Sequence, residues 1–436
     1  MKKLCRMAVT SLWLILIVAL GVRLEFAWTY QHHHSRQALS VIPFMFESSN
    51  IGYSLATGQG FSSPFHVNTG PTAWMTPVYP AILAAIFRIC GPYTFQSWVA
   101  AVFLNILFST LACVPIFFAG KRIGGLGVAA GAAWLWALFP NAFQLAVESI
   151  WEASLAALLA ATILWATLEL VESTRLRDWC SYGLLWGLTL MTNAALGSAL
   201  PFLLLWLMYR ARGAGRPWLK GPALSLGIAL LCCTPWTIRN YEVFHSFVPL
   251  RSVLGLQLWM GNNPQTKDVW LGEGHPIHEQ AERDLYVQLG EIAYMRQKKA
   301  DAIRYMFSHP AREVHLIAHR FISFWSGGTP HPFEDFTRWR SNWPRYVLLY
   351  NVAAALGALL GIAVLCLRRS EYAFPSAALP ILYPCAYYLT LALPRYQLPI
   401  APIELILAAI GVQGLAQWAV RIAGARKNAS DHAARP

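Results

Sequence analysis

Residues 95–119 read FQSWVAAVFLNILFSTLACVPIFFA, and no charged side chain follows until the pair Lys121-Arg122. A helix of this length rises about 1.5 Å per residue and can cross the roughly 30 Å hydrocarbon core of a bilayer. Nine further apolar runs occur near residues 8–28, 127–143, 149–170, 179–193, 195–209, 221–237, 346–367, 374–393 and 398–420. The sequence therefore predicts an all-α polytopic membrane protein with about ten transmembrane helices.

The composition excludes a soluble enzyme and a disordered chain. Hydrophobic residues make up 56% of the 436 residues and charged residues only 13%, whereas an ordinary soluble protein has roughly 25% charged residues. The mean hydropathy is +0.42. The 19 Trp and 17 Tyr residues suit a protein with many membrane–water boundaries, where amphipathic rings settle.

The net charge of +13 follows the membrane topology and does not indicate a nucleic-acid surface. Basic residues concentrate in the segments that ten spans from a cytoplasmic start would place inside, which is the usual bias of membrane proteins. These segments contain Lys121, Arg122, Arg175, Arg177, Arg210, Arg212, Arg216, Lys220, Arg368, Arg369, Arg421, Arg426 and Lys427. We therefore expect both termini in the cytoplasm and no nucleic-acid partner.

This topology divides the chain into three regions. Residues 1–237 form an N-terminal transmembrane region with a first outer loop at 29–95. Residues 238–345 form an outer-face, periplasmic helical segment, and residues 346–436 form a C-terminal transmembrane region with a short cytoplasmic tail. The run at 8–28 could also be a signal peptide, but its length and the lack of a small-residue cleavage site favour a retained first span.

The two large outer segments also have helical patterns. Val78–Cys90 is apolar but too short to cross a bilayer, so it predicts a helix along the membrane surface. Apolar residues at helical spacing predict a helix over Glu279–Phe307. Pro310 suits the first turn of another helix, which runs to Trp325 and stops at Gly327-Gly328.

Glu47 is the only acidic residue of the first outer loop and lies among aromatic residues. Such a carboxyl group tends to have a raised pKa, which suits a general base. The alternative is a solvated carboxylate or a partner of a helix N-terminus. Glu148 and Glu152 are four residues apart, which predicts that they share one face of a helix. They could contact a cation or a sugar hydroxyl, or only complement the helix dipole.

Three arginines lie at predicted outer ends of spans, where the positive-inside bias gives no reason for a cation. They are Arg239, Arg251 and Arg395. A guanidinium at this boundary can hold a phosphate group by paired hydrogen bonds, although snorkelling to lipid headgroups is the commoner case. The run His32-His33-His34 directly follows a span and fits interfacial solvation better than a metal ligand set.

Several motifs, in this order along the chain, resemble one family. They are the acidic Glu47 followed by 53–61 (YSLATGQGF), then 69–73 (TGPTA), 76–80 (TPVYP), 235–241 (PWTIRNY), 255–264 (GLQLWMGNNP) and 395–400 (RYQLPI). With them the chain resembles the bacterial membrane glycosyltransferases of the GT-C superfamily. The branch is the one related to dolichyl-phosphate-mannose protein mannosyltransferases, family 39.

The resemblance implies a GT-C-like bundle with its active site on the periplasmic face of the bacterial inner membrane. It implies transfer of a sugar, with inversion, from a polyprenyl-phosphate-linked donor to an acceptor protein, lipid or glycan. Glu47 would be the base or a metal contact, and a divalent cation is possible but not required. The donor phosphate would meet Arg239, Arg251 and Arg395. The substrate contacts would be Tyr53, Tyr79, Glu152, Asn262 and Tyr396.

Two other functions stay open. A transporter or flippase for lipid-linked saccharides would also need phosphate-binding arginines, but the sequence has no internal repeats and most spans lack ionisable groups near the midplane. A non-catalytic membrane scaffold could use residues 238–345 as a docking surface.

Overall fold

The computed structural model describes residues 10–266, 274–328 and 342–433. Every regular element within these ranges is a helix, and an isolated antiparallel bridge joins Ser62 to Pro71. The helices up to residue 244 are α1 (Leu12–His33), α2 (Arg36–Val41), α3 (Glu47–Ala56), α4 (Val78–Cys90), α5 (Phe95–Leu111), α6 (Cys113–Ala137), α7 (Pro140–Glu148), α8 (Ala153–Leu170), α9 (Leu176–Leu190), α10 (Leu200–Gly213) and α11 (Lys220–Phe244).

The rest of the chain adds outer helices and a final group of membrane helices. They are α12 (Leu254–Gly261), α13 (Gln280–Leu289), α14 (Glu291–Ser308), α15 (Pro310–Trp325), α16 (Asn342–Leu367), α17 (Ala373–Leu382), α18 (Cys385–Leu389), α19 (Pro394–Gln397) and α20 (Ala401–Ala433). Short 3₁₀ turns at Ile42–Phe44 and Ala194–Ala199 connect neighbouring helices.

Seven segments of the described residues are long and apolar enough to cross a membrane. They are Leu12–His33, Phe95–Glu148, Ala153–Leu170, Ala194–Gly213, Lys220–Phe244, Trp343–Leu367 and Ala401–Gly424. Phe95–Glu148 contains two of the predicted runs. The runs near 179–193 and 374–393 form the short α9 and the interrupted pair α17 and α18. The all-α polytopic membrane fold is thus confirmed, while the number of ten spans and the orientation stay predictions.

Gly125 reverses the chain inside α6. Its φ of 80° and ψ of −173° are not helical and belong to a backbone region that is essentially restricted to glycine. A Cβ atom on Gly120 would lie 3.0 Å from the Cα of Ala129, so the two arms pack closely. Trp136 Nε1 donates to the carbonyl of Ser109 at 2.7 Å. This hairpin places the predicted spans 95–119 and 127–143 side by side.

Arg23 is a fully buried cation within α1. Its guanidinium donates to Ser109 Oγ at 2.8 Å and to the carbonyls of Ala19, Trp136 and Ala137. The last carbonyls of a helix lack partners within the helix, and Trp136 and Ala137 end α6. Arg23 therefore joins α1 to the end of α6 and has a structural role.

Two expectations about helix boundaries were wrong. Glu279–Phe307 is not one helix, because Gly290 adopts a φ of 74° and separates α13 from α14. Glu148 and Glu152 do not share a helix, because α7 ends at Glu148 and α8 begins after Glu152. The helix over Val78–Cys90 and the helix from Pro310 to Trp325 are confirmed.

The helices outside the seven candidate spans pack mainly in pairs. Helix α3 lies against α4, α12 against α14, and α15 against α18 and α19. The close approach of α12 to α14 depends on Gly255, where a Cβ atom would lie 2.0 Å from the carbonyl oxygen of Met295. The loops that lead into α3, α8, α12 and α19 converge on the cavity described below.

We predict that Gly125→Ala lowers the thermal unfolding midpoint of the detergent-purified protein, because a Cβ atom at this backbone conformation costs about 1–3 kcal/mol. Gly127→Ala is the matched control, since Gly127 has helical φ and its nearest neighbour, Gln413 Nε2, would be 4.0 Å from a new Cβ atom. Equal midpoints for the two variants would contradict the hairpin.

Candidate functional site

A cavity of about 610 Å³ lies where several outer loops meet the ends of membrane helices. Its walls come from residues 42–47, 74–75, 151–152, 193–195, 249–260, 275–278 and 386–396. Five of the side chains expected to act on substrate line it: Glu47, Glu152, Arg251, Arg395 and Tyr396. The structure thus brings two carboxylates and two guanidinium groups from distant parts of the chain into one space.

Glu47 is buried at the start of α3 and is paired with His275. His275 Nε2 lies 3.0 Å from Glu47 Oε1, and the backbone N–H of Ile277 donates to His275 Nδ1 at 3.0 Å. Because Nδ1 accepts, the ring proton is on Nε2, and a neutral imidazole can donate it to the carboxylate. His275 therefore orients the carboxylate of Glu47.

The two buried carboxyl groups of the cavity differ in pKa. Burial alone would raise the pKa of Glu47, but the hydrogen bond and the charge of His275 outweigh it, with a smaller contribution from Arg395, so the pKa is lowered. The raised pKa expected from the sequence is therefore wrong, because the sequence did not indicate the contact with His275. Burial raises the pKa of Glu152 to about 7, and Arg251 and Arg395 only partly offset it. Glu152 Oε2 is buried and accepts no hydrogen bond from the residues that the structure describes. At neutral pH, Glu47 is ionised, whereas Glu152 still holds its proton in a substantial fraction of the molecules.

Arg395 is held by aromatic rings at the start of α19. Its guanidinium carbon lies 4.4 Å from the ring centre of Trp151, 5.2 Å from that of Phe46 and 5.4 Å from that of Tyr396. Cation–π contacts of this kind fix a guanidinium without consuming its N–H donors. Arg395 Nε is buried and has no hydrogen-bond partner within the described part of the chain. Arg395 is therefore placed to bind an anionic group in the cavity.

Four of the predicted contacts lie outside the cavity lining. Arg239 donates to the carbonyls of Phe61 and Thr72, each at 2.7 Å. The OH of Tyr79 is buried and donates a hydrogen bond to Asn105 Oδ1 at 3.0 Å. Asn262 donates to the carbonyls of Leu258 and Leu389, and the ring of Tyr53 stacks on Tyr93 with centres 5.5 Å apart. The donors of Arg239 and Asn262 are occupied by the protein's own carbonyls, so both stabilise the fold.

The other candidates also have local partners. Each ring of His32, His33 and His34 contacts, through Nδ1, a backbone carbonyl four residues earlier. Glu148 accepts from Gln144 Nε2 at 2.9 Å. Within the described ranges no group of three or more His, Cys, Asp or Glu side chains is arranged to hold a metal ion.

Sequence reasoning missed His275, His278, Trp74 and Trp151, which all line the cavity. His275 lies in Gly274-His275-Pro276, a segment without metal-ligand spacing or helical periodicity. Its contact with Glu47 joins residues more than 200 positions apart, so no local pattern indicates it. Trp151 directly precedes Glu152. Its position at the end of a span, where Trp is enriched, was the only sequence feature that could have indicated its place at the cavity.

We predict that Glu152 gives stability a pH dependence. Its pKa in the folded protein is about 7, whereas the ordinary pKa of a glutamate carboxyl group is 4.5. The stabilisation of its neutral form is therefore complete below about pH 4.5 and is lost as the pH rises to about 7. Glu152→Gln is neutral at every pH. Its thermal midpoint should therefore rise relative to wild type between pH 4.5 and 7.5, by an amount worth about 1–3 kcal/mol. If the thermal midpoints of wild type and Glu152→Gln change with pH in parallel, the raised pKa of Glu152 is contradicted.

Comparison with known proteins supports the resemblance. Residues 74–238 match the sequence model of the dolichyl-phosphate-mannose-protein mannosyltransferase family. No curated protein sequence matches the chain. The matched segment includes Trp74 and Glu152 but not Glu47, Arg239 or Arg395.

The fold is similar to that of the archaeal oligosaccharyltransferase AglB from Archaeoglobus fulgidus. The AglB complex with an inhibitory peptide and a dolichol-phosphate aligns with a TM-score of 0.58 at 13% identity, covering 98% of this chain and 52% of AglB. The apo form of that enzyme aligns with a TM-score of 0.56 at 12% identity, covering 96% of this chain and 51% of the enzyme. The chain thus spans about half the length of this enzyme. The expected resemblance is confirmed, apart from the bacterial origin, which stays a prediction: the chain has a fold similar to that of the membrane oligosaccharyltransferase AglB, and residues 74–238 match the sequence model of the dolichyl-phosphate-mannose-protein mannosyltransferase family.

Proposed function

We propose that the protein is a membrane glycosyltransferase that moves a sugar from a polyprenyl-phosphate donor to an acceptor hydroxyl. One observation carries the proposal: a single cavity contains an ionised carboxylate, Glu47, a carboxyl group with a raised pKa, Glu152, and two arginines, Arg251 and Arg395. A base, a hydrogen-bond donor and an anion site are the groups that this transfer needs. The related archaeal fold was solved with a dolichol-phosphate, which has the chemistry of the proposed donor.

The donor phosphate binds at Arg395, with Arg251 as the second cation. A lipid phosphate is amphipathic, so its chain stays in the bilayer while its phosphate reaches the end of a membrane helix. Ile42, Met45 and Leu254 line the cavity and are also exposed, which gives the cavity an apolar margin suited to an isoprenoid chain. The planar guanidinium of Arg395 matches phosphate oxygens with paired N–H donors.

The transfer is a single displacement with inversion at the anomeric carbon. Glu47 takes the proton of the acceptor hydroxyl while the acceptor oxygen forms a bond to that carbon. The bond from the anomeric carbon to the phosphate oxygen breaks, and the polyprenyl phosphate leaves with the electron pair. Arg395 and Arg251 stabilise the charge that develops on the departing oxygen. The transition state is oxocarbenium-like, as in other displacements at sugar carbons.

Glu152 has a different task from Glu47 in this scheme. A carboxyl group that keeps its proton up to about pH 7 can donate a hydrogen bond, and its buried Oε2 has no partner among the described residues. We assign it to a hydroxyl of the donor sugar, with Tyr396 beside it in the cavity wall. The reaction takes place on the periplasmic face of a bacterial inner membrane, and the acceptor is a protein, a lipid or a glycan.

A transporter of lipid-linked saccharides is less well supported than an enzyme. Among the described residues, the buried Asp, Glu, Lys and Arg side chains inside membrane helices are Arg23 and Glu404, and neither lines the cavity. Arg23 is bound to backbone carbonyls and Ser109, and Glu404 accepts from Gln397 at 3.1 Å. A transporter would place such groups along a substrate path. Reconstitution with labelled polyprenyl-phosphate sugars, scoring both transfer and translocation, separates these functions and also tests a non-catalytic scaffold.

We predict that Glu47→Gln lowers the rate of sugar transfer by roughly 10²–10⁴-fold, because the amide keeps the size of the side chain but cannot accept the proton. Glu148→Gln is the matched control, since Glu148 is a partly buried carboxylate outside the cavity. Turnover is measured in proteoliposomes at equal protein content. A wild-type rate in Glu47→Gln would exclude Glu47 as the base.

We predict that Arg395→Lys weakens donor use and that Arg395→Ala weakens it further, because lysine keeps the charge but loses the planar pair of donors. Arg36→Lys is the control, since Arg36 stacks on Phe95 outside the cavity. Donor titration gives the apparent KM. If Arg395→Lys behaves as wild type, Arg395 contacts headgroups by snorkelling and does not hold the phosphate.

A further inference from the structure

Glu291, the first residue of α14, is a buried carboxylate outside the cavity lining. Its Oε1 accepts from the backbone N–H of Ala73 at 2.8 Å and from Ser252 Oγ at 2.6 Å. Its Oε2 accepts from Thr72 Oγ1 at 2.5 Å and from Tyr286 OH at 2.6 Å. A carboxylate has about four lone-pair sites, so these four donors saturate it. Glu291 therefore has no capacity left to bind a ligand.

The four donors tie together segments that lie far apart in the sequence. Thr72 and Ala73 immediately precede Trp74, which lines the cavity, and Ser252 immediately follows Arg251. The backbone N–H of Ser252 also donates to the carbonyl of Ala73 at 2.9 Å. Glu291 thus holds the first outer loop and the segment that carries Arg251 against each other.

The segment before Arg251 is fixed from the other side by α11. Trp236 Nε1 donates to the carbonyl of Leu250 at 2.6 Å, and Thr237 Oγ1 donates to the carbonyl of Pro249 at 3.0 Å. The backbone on both sides of Arg251 is therefore anchored.

The side chain of Arg251 contrasts with its anchored backbone. It lines the cavity and is partly exposed, and its guanidinium makes no hydrogen bond or ion pair with residues of the described ranges. Arg239 and Arg320, by comparison, donate to carbonyls of the protein. A rigid backbone with an uncommitted guanidinium is what a preorganised anion site requires.

We propose that Glu291 is a positioning residue that holds Arg251 at the cavity for the phosphate of the lipid donor. The inference rests on the proposed function, because it assumes that the cavity binds a polyprenyl phosphate. Glu291→Gln replaces one acceptor oxygen with an amide NH₂ group. The negative charge that strengthens all four hydrogen bonds is lost, and the two groups that face the NH₂ lose their acceptor, so a hydroxyl there must turn and accept while the N–H of Ala73 cannot. The segment around Ser252 would then lose its fixed position.

The test is the binding of a polyprenyl phosphate of defined length to the detergent-purified full chain. It uses wild type, Glu291→Gln, Arg251→Ala and the double variant. Glu282→Gln is the matched control, because Glu282 is a partly buried carboxylate of the same pair of helices. It accepts from Tyr294 and Lys298, and not from residues 72–73 or 252. Calorimetric titration gives Kd and stoichiometry separately.

We expect Glu291→Gln to raise Kd by about tenfold, the scale of one lost hydrogen bond to a charged group. We expect the control to keep the wild-type Kd and the double variant to bind no more weakly than Arg251→Ala, because both changes act on one interaction. A merely structural role would lower the stoichiometry and leave Kd unchanged.

The remaining outcomes are decisive. If wild type binds and Glu291→Gln binds equally well, the positioning role is wrong while the proposed function stands. If the two single effects add fully in the double variant, Glu291 does not act through Arg251. If wild type binds no polyprenyl phosphate, the proposed donor is wrong and the inference is wrong with it.

Discussion

The site depends on burying two carboxyl groups in one cavity, and each is stabilised in a different way. An ionised carboxylate without compensation is so costly to bury that it takes up a proton. Glu152 follows that rule, since burial raises its pKa to about 7. Glu47 stays ionised although it is buried, because the hydrogen bond and the charge of His275, with a smaller contribution from Arg395, outweigh burial and lower its pKa. Two identical groups thereby acquire complementary chemistry, one as acceptor and one as donor of a proton or hydrogen bond.

This division of roles requires parts of the chain that the membrane alone would not bring together. Glu152 directly precedes the membrane helix α8 and Arg395 lies in the short α19, whereas Glu47 and His275 come from the segments 29–95 and 238–345. The helices outside the candidate spans therefore do more than cover the bundle. Helix α12, which supplies part of the cavity wall, packs against the backbone of α14 at Gly255.

Much of the fold and part of the site could be predicted from the sequence. Apolar runs are long-range patterns in composition, so they indicate the membrane helices directly. Arg239 and Arg395 look alike in sequence, since each follows a proline near the end of a span. Only tertiary structure separates them: carbonyls from Phe61 and Thr72 occupy Arg239, while aromatic rings leave Arg395 available. His275 carries no local signal, because its partner Glu47 is distant in the chain.

The most direct test of the central claim is an experimental structure of the protein with a polyprenyl phosphate bound. The account predicts that the phosphate lies in the cavity within hydrogen-bond distance of Arg395, with Arg251 on its other side and Glu47 facing the position of the sugar. A phosphate bound elsewhere on the molecule, with the cavity empty and His275 still on Glu47, would contradict the assignment of this cavity as the active site.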